Sequence, residues 1–395
     1  MGFHTYKSSI FSKIRNALRV LSRPGKSDRN KGKYIIEPFR GFGSGREAFL
    51  MGRVFRQHRI DPGLPEGSIS GDLVALWRRL SRKGLRGVWI SGRFSDKKVN
   101  VRTDKHGFFW IKIRYRQPLK DEILWRQVQL QFEKPFYEGA APVQGQIFFP
   151  TDSARFVVIS DIDDTVIYTG VANKIRMLWR LFVQRTQSRT AFPGVAALYR
   201  ALHNGVSGQE FNPMLYVSRG PWAIYHVLEE FFHLHQIPIG PILFLRYWGL
   251  DVHHPLPHLG KAHKIRMIRT MLDIYDDLPF ILIGDSGQKD PEIYAQIVRE
   301  HPGRVLAVYI RDIESDPERR SAIEKLGNRI NDAGSRLLVA EDSFAMAEHA
   351  ANYGFISDKG LSDVMEERLL TEHPESHGRI RKQVEGSTVG SRITP

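Results

Sequence analysis

The chain has 395 residues, 42% hydrophobic and 26% charged, which excludes wholesale disorder and leaves room for two or three domains with separate cores. Lys and Arg outnumber Asp and Glu by 58 to 43, so the formal charge is +15 and an anionic partner is expected: nucleic acid, anionic lipid or a phosphorylated substrate. The absence of cysteine excludes a disulfide framework, a thiol nucleophile, a thiolate-held zinc and an iron–sulfur cluster, and no uncharged apolar run reaches the roughly 18 residues of a membrane-spanning helix.

Residues 1–33 hold nine Lys or Arg against one acid, Asp28. Ile10, Phe11, Ile14, Leu18 and Leu21 recur at three- and four-residue spacing, with Lys13, Arg15 and Arg19 elsewhere on the wheel. The spacing predicts a basic amphipathic helix ended by Arg23-Pro24-Gly25. Such a helix suits an anionic membrane interface, or packing on the body of the protein. Charges interrupt the apolar stretch, so a cleavable signal peptide is not expected.

Over residues 34–150 the period shortens. Runs at 48–54, 88–94, 99–103, 108–113 and 127–132 read as short strands separated by Gly, Asp and Lys turns, and 104–107 reads as a hairpin loop. This spacing predicts an antiparallel, β-sandwich-like domain. Gly41, Gly43 and Gly45 resemble a phosphate loop only superficially, because Arg46 stands near where a further glycine belongs; an ordinary loop is expected.

From 151 to 358 strand and helix alternate. Buried apolar runs at 156–160, 214–218, 280–284 and 305–310, with amphipathic segments between them, predict an α/β domain built on a doubly wound parallel sheet. An insert at about 168–209 reads as a small cap, with Lys174, Arg176 and Arg180 interleaved with Met177, Leu178 and Trp179. That mixture suits acyl chains beside an anionic headgroup, and equally a packed helix with a basic outer face. Residues 359–395 are polar and charge-rich and are expected to form a disordered tail.

Four segments of this domain carry chemistry. The run 157–165 delivers Asp161, Asp163 and Asp164 at the end of a buried strand, where open α/β sheets bind ligands. Clustered carboxylates repel one another, and a divalent cation such as Mg²⁺ is the usual compensation. Ser218 ends a second strand ahead of Arg219-Gly220-Pro221 and can donate to a phosphate oxygen. Lys261 and Lys264 open a helix, either able to neutralise a phosphate. Asp285 ends a third strand in Gly284-Asp285-Ser286-Gly287 and can close a metal's coordination shell, with Asp290 able to orient the metal or a water.

In order, these segments resemble the four signature motifs of the haloacid dehalogenase superfamily of phosphohydrolases. More narrowly, Asp161-Ile162-Asp163-Asp164-Thr165, Tyr216-Val217-Ser218 and the stretch from Gly284 to Tyr294 are similar to the actin-patch-associated phosphatidate phosphatase family, over roughly residues 150–358. The resemblance implies a haloacid-dehalogenase fold in which Asp161 is the nucleophile and Asp163 the general acid and base. It implies Mg²⁺ held by Asp161, Asp163 and Asp285 with Asp290, and a phosphoryl group bound by Thr165, Ser218, Arg219 and Lys264, the last favoured over Lys261. The function it implies is a Mg²⁺-dependent phosphatidate phosphatase, cytoplasmic and peripherally bound to an anionic lipid surface, that releases diacylglycerol and phosphate. A phosphomonoesterase with a soluble or protein substrate, and a membrane adaptor with a vestigial site, are the alternatives. Nucleic acid is not expected, since the basic excess lies mainly in an amphipathic segment rather than on an aromatic-lined strand surface.

Overall fold

The computed structural model describes residues 33–57, 84–114, 123–134, 141–162, 192–218, 222–244, 260–313 and 316–372. The basic N-terminal helix expected before residue 33, residues 163–191 of the expected cap and residues 373–395 lie outside the described residues.

The first eight strands are β1 (Lys33–Pro38), β2 (Gly41–Gly43), β3 (Glu47–Gln57), β4 (Trp89–Phe94), β5 (Lys97–Arg102), β6 (Phe108–Arg114), β7 (Trp125–Lys134) and β8 (Val143–Phe148). They form one sheet ordered β1-β3-β2-β8-β7-β4-β5, with β6 on the other edge of β3; only the β2–β8 pair is parallel. Alternation sets the faces: in β6, Phe109, Ile111 and Ile113 are buried while Trp110, Lys112 and Arg114 face outward. The inward side chains join Leu50, Val54, Ile90 and Leu130 in a single apolar core. Burying each such side chain contributes about 1.5–3 kcal/mol.

The 104–107 turn forms, with Asp104 Oδ1 accepting from the amides of His106 and Phe108 at 2.8 and 2.9 Å. It does not join a paired hairpin, because β5 pairs with β4 and β6 with β3. The glycine run read as a loop is in fact β2, wedged between β3 and β8. A Cβ on Gly41 would lie 2.1 Å from the Phe49 carbonyl oxygen, so close approach of two backbones explains the glycine.

The second sheet comprises β9 (Val157–Asp161), β10 (Met214–Ser218), β11 (Ile242–Phe244), β12 (Phe280–Asp285), β13 (Val305–Arg311) and β14 (Arg336–Ala340). Its order is β11-β10-β9-β12-β13-β14, and every pair is parallel. Among the described residues the α-helices are, in chain order, α1 (Val195–Asn204), α2 (Tyr225–Leu234), α3 (Gly260–Ile274), α4 (Asp290–Glu300), α5 (Pro317–Asp332), α6 (Ser343–Asn352) and α7 (Asp358–Glu372). Residues of α1, α2, α6 and α7 share one apolar cluster with one face of the sheet; residues of α3, α4 and α5 share another with the opposite face. Both faces are therefore covered, and β9, β10 and β12 are buried along their whole length.

Two boundaries differ from expectation. Helix α1 falls within the range read as a cap, yet Val195–Leu202 pack into the cluster that includes Val158 and Tyr216, so α1 belongs to the layers of the sheet. Helix α7 takes up residues 359–372 of the range expected to form a disordered tail. It is docked through buried Val364 and through Arg200–Glu367 and Arg368–Asp342 ion pairs at 2.7 and 2.8 Å.

The two sheets meet in an apolar and a polar contact. Phe39 packs on Trp222 and Tyr225 with ring centroids 4.5 and 4.7 Å apart. Beside them Arg40 pairs with Glu229, and His226 lies 2.8 Å from Glu37 and 3.4 Å from Glu229. Among the described residues no helix is long and apolar enough to cross a membrane.

Candidate active site

From β9 the chain winds outward through β10 to β11; from β12 it winds the other way through β13 to β14. The C-terminal ends of β9 and β12 therefore flank the point where winding reverses, the usual ligand crevice of such sheets. Asp161 is the last residue of β9 and Asp285 the last of β12. Ser160 is the register partner of Ile283, so the two carboxylates leave adjacent strands at nearly the same level. Both are buried.

Asp290 is buried too, at the start of α4 with Pro291 in the first turn, where a missing N–H costs nothing. It reaches the strand ends because residue 284 is glycine: a Cβ there would lie 2.3 Å from Asp290 Oδ2. Asp161, Asp285 and Asp290 each offer an oxygen within 4.8 Å of the others. Two such charges at about 4 Å repel by roughly 4 kcal/mol at an effective dielectric of about 20.

Lys264 enters from α3. Its Nζ donates to Asp161 Oδ1 at 3.0 Å and to Asp290 Oδ1 at 2.7 Å, and the side chain is buried. A lysine near a helix N-terminus opposes the helix dipole, so the acceptors are what hold it there. Gln288 Nε2 donates to Asp161 Oδ2 at 3.2 Å and to Asp285 Oδ2 at 2.8 Å. The positive end of its amide thus meets both carboxylates, and the point between them favours positive charge. The field is felt by Tyr294: burial first, then the carboxylates of Asp290, Asp161 and Asp285, push its phenol well above the ordinary range. It stays neutral and donates to the Ile283 carbonyl at 2.9 Å.

Ser218, the buried last residue of β10, stands next to this group, since its neighbour Val217 is the register partner of Asp161. Of the residues singled out from sequence, the structure thus brings together Asp161, Asp285, Asp290, Lys264 and Ser218. Asp163, Thr165 and Arg219 lie outside the described residues, as does the side chain of Lys261.

Two further residues were given no role in advance. Gln288 lies inside the motif that names Asp285 and Asp290, so its position could have flagged it. Arg319 carries no such signal. From α5 its guanidinium donates to the carbonyls of Ser286 and Gln288 at 2.9 and 2.7 Å and grips Glu292 at 2.6 and 3.1 Å. The loop that carries Asp285 and Gln288 is fixed by this fork and by Ser286, whose hydroxyl bonds Asp312 at 3.1 Å and accepts from the Ile313 amide at 3.0 Å.

The possible ligands are the oxygens of three carboxylates, Asp161, Asp285 and Asp290, with no soft ligand among them. They fit a hard divalent cation such as Mg²⁺. A buried carboxylate beside a lysine, a serine and such a cation can attack an electrophile that is itself anionic.

Residues 156–312 match the family model described as the catalytic domain of phosphatidate phosphatase APP1. The phosphatidate phosphatase APP1 of Saccharomyces cerevisiae is 30% identical over 216 residues, 53% of this chain and 34% of that protein. An uncharacterized protein of Schizosaccharomyces pombe is 30% identical over 159 residues, 40% of this chain and 25% of its own length. The chain thus spans about a third and a quarter of the length of these two curated relatives. Among solved structures, a carbohydrate acetylesterase from Xanthomonas citri aligns over 74% of this chain and 72% of its own at 10% identity and a TM-score of 0.25, too slight a likeness to carry an argument.

Proposed function

We propose, from the match of residues 156–312 to the family model described as the catalytic domain of phosphatidate phosphatase APP1, that this chain is a Mg²⁺-dependent phosphatidate phosphatase of haloacid-dehalogenase type. It hydrolyses phosphatidate to diacylglycerol and phosphate at the cytoplasmic surface of a membrane, with the basic segment 1–33 as its electrostatic contact. The observation that supports the reading best is the buried Asp161–Lys264–Asp290 cluster with Asp285, at the ends of the two strands where the winding reverses.

In this reading Asp161 attacks phosphorus in line. The Asp161 Oδ–P bond forms as the P–O bond to glycerol breaks, and Asp163 delivers its proton to the leaving alkoxide. Asp163 then takes a proton from water, which attacks phosphorus and releases phosphate, restoring both carboxyl groups. Lys264 holds Asp161 in the attacking rotamer and offsets its charge as the anionic ester approaches; Ser218, Thr165 and Arg219 bind phosphoryl oxygens. Asp161, Asp163, Asp285 and Asp290 are the residues that would hold Mg²⁺, which supplies charge neutralisation for the phosphoryl group. Arg319 keeps the Asp285–Gln288 loop in register with β9.

The test is phosphate release from mixed micelles of phosphatidate, beside lysophosphatidate, a soluble sugar phosphate and a phosphopeptide. Selective turnover of phosphatidate is expected, stopped by EDTA and restored by Mg²⁺. Turnover of soluble esters alone would remove the lipid assignment. Activity indifferent to chelation would remove the metal role of Asp285.

A further inference from the structure

A cavity of about 200 Å³ lies where the edge of the parallel sheet faces the antiparallel one. Its walls are mostly apolar. Phe42 and Met51 come from the first sheet, while Leu243, Phe244 and Met267 come from β11 and α3. Neither domain encloses this space alone.

Three relations tie the cavity to the candidate site. Phe244 is the register partner of Ser218, so one wall stands a single strand spacing, about 4.8 Å, from the serine's backbone. Trp222, also in the lining, follows Ser218 by four residues at the C-terminal end of β10. Met267 lies one turn beyond Lys264 on α3, the i and i+3 positions that neighbour each other on a helix surface. The rim is amphipathic: Trp110 is 45% exposed, and Arg266 is exposed beside Met267. An apolar cavity of roughly 150 Å³ is enough to accept benzene, so this one has room for a short length of alkyl chain but not a whole diacyl lipid.

We propose that this interdomain cavity is an acyl subsite: it takes the first carbons of one fatty chain of a phosphorylated lipid whose phosphate sits among Asp161, Ser218 and Lys264. The assignment rests on the lipid-phosphatase reading and gives the antiparallel domain a part in it, as one wall of the substrate site. The phosphate ester is anchored at the strand ends, the adjoining apolar carbons leave water between the sheets, and Arg266 faces the anionic lipid surface outside. A soluble phosphate ester engages the strand ends alone.

The assignment predicts a split between substrates. Met267→Trp narrows the cavity from a half-buried position, and Trp110→Ala removes an exposed rim residue; neither touches the carboxylates. In the full-length protein with Mg²⁺, each variant is expected to lower kcat/KM for phosphatidate in mixed micelles at least ten-fold, chiefly through KM. Turnover of p-nitrophenyl phosphate should stay within two-fold of wild type. A phosphatidate bearing a diazirine close to its ester carbonyl should crosslink to the 39–51, 110, 242–244 or 266–267 segments of the Asp161→Asn protein. Wild-type protein that hydrolyses p-nitrophenyl phosphate but not phosphatidate would overturn the lipid reading and the subsite with it. Lipid turnover undiminished in both variants, with crosslinks elsewhere, would overturn the subsite alone and leave a packing void.

Discussion

In the parallel sheet, β9, β10 and β12 are buried residue by residue, and two of them end in buried carboxylates; in the antiparallel sheet, β6 alternates between core and solvent with Lys112 and Arg114 outside, and β5 alternates between half-buried and exposed positions. Helices on both faces make the difference. They leave the strand ends of the parallel sheet as the place where polar side chains can gather out of water. The antiparallel sheet spends its outward face on solvation and on the contact with α2. One region therefore holds charges whose interactions are strong and must be balanced, the other holds charges whose loss is nearly neutral.

The largest effect that would break this comparison is on activity. Asp161→Asn is expected to reduce kcat/KM by at least about 10³-fold, the scale at which loss of a nucleophile is felt. Without added metal it should not lower the melting temperature, because removing one of three crowded carboxylates relieves repulsion. Substantial residual turnover would mean that another group attacks phosphorus. A protein that melts well below wild type would mean that the Asp161–Lys264 bond outweighs the crowding.

Next in size is the lysine. Lys264→Met leaves Asp161 and Asp290 buried without the ammonium that bonds both, a change expected to cost about 3–5 kcal/mol in urea denaturation. Adding Asp290→Asn should recover part of that loss. The counterpart in the antiparallel sheet is Arg114→Ala, which removes an exposed partner 3.4 Å from Glu47 and is expected to cost under about 1 kcal/mol. Equal costs at the two positions would erase the distinction between the sheets.

The same contrast governs what could be read in advance. Strands β9, β10, β12 and β13 were legible because an unbroken apolar run has one plausible home, and the acids after β9 and β12 announce the site because nothing else explains three of them there. Where side chains carry no pattern the reading fails. Gly41–Gly43 offers a single side chain, Phe42, to mark it as a strand, and Ile242–Phe244 is too short after Pro238, Gly240 and Pro241 to register as one. Helix α7 hides behind its charges, since Val364 is buried while Met365 and Leu369 are half exposed. Arg319 was invisible because its partners, Ser286, Gln288 and Glu292, lie 27 to 33 residues away and meet it only after β13 returns the chain. The interdomain cavity is assembled from residues between 39 and 267, and no local window holds it.

The smallest effect concerns the seam between the two regions. His226 stands between the carboxylates of Glu229 and Glu37, whose hydrogen bonds raise its pKa to about 9 from an ordinary value of 6.5, against the opposing pull of partial burial. Because the folded value is the higher one, the stabilisation is fully present below about 6.5 and is lost as pH rises through about 9. The imidazole is half exposed, so screening keeps the contribution within the range of about 0–1 kcal/mol typical of surface pairs. Hydrogen exchange at residues 37–41 and 225–229 should therefore quicken between pH 7 and pH 9.5 once corrected for intrinsic rates, and His226→Gln should flatten that dependence. The parallel core around β9 and β12 should show no matching change over the same interval. An equal loosening of both would mean that the sheets respond as one body rather than across a titratable seam.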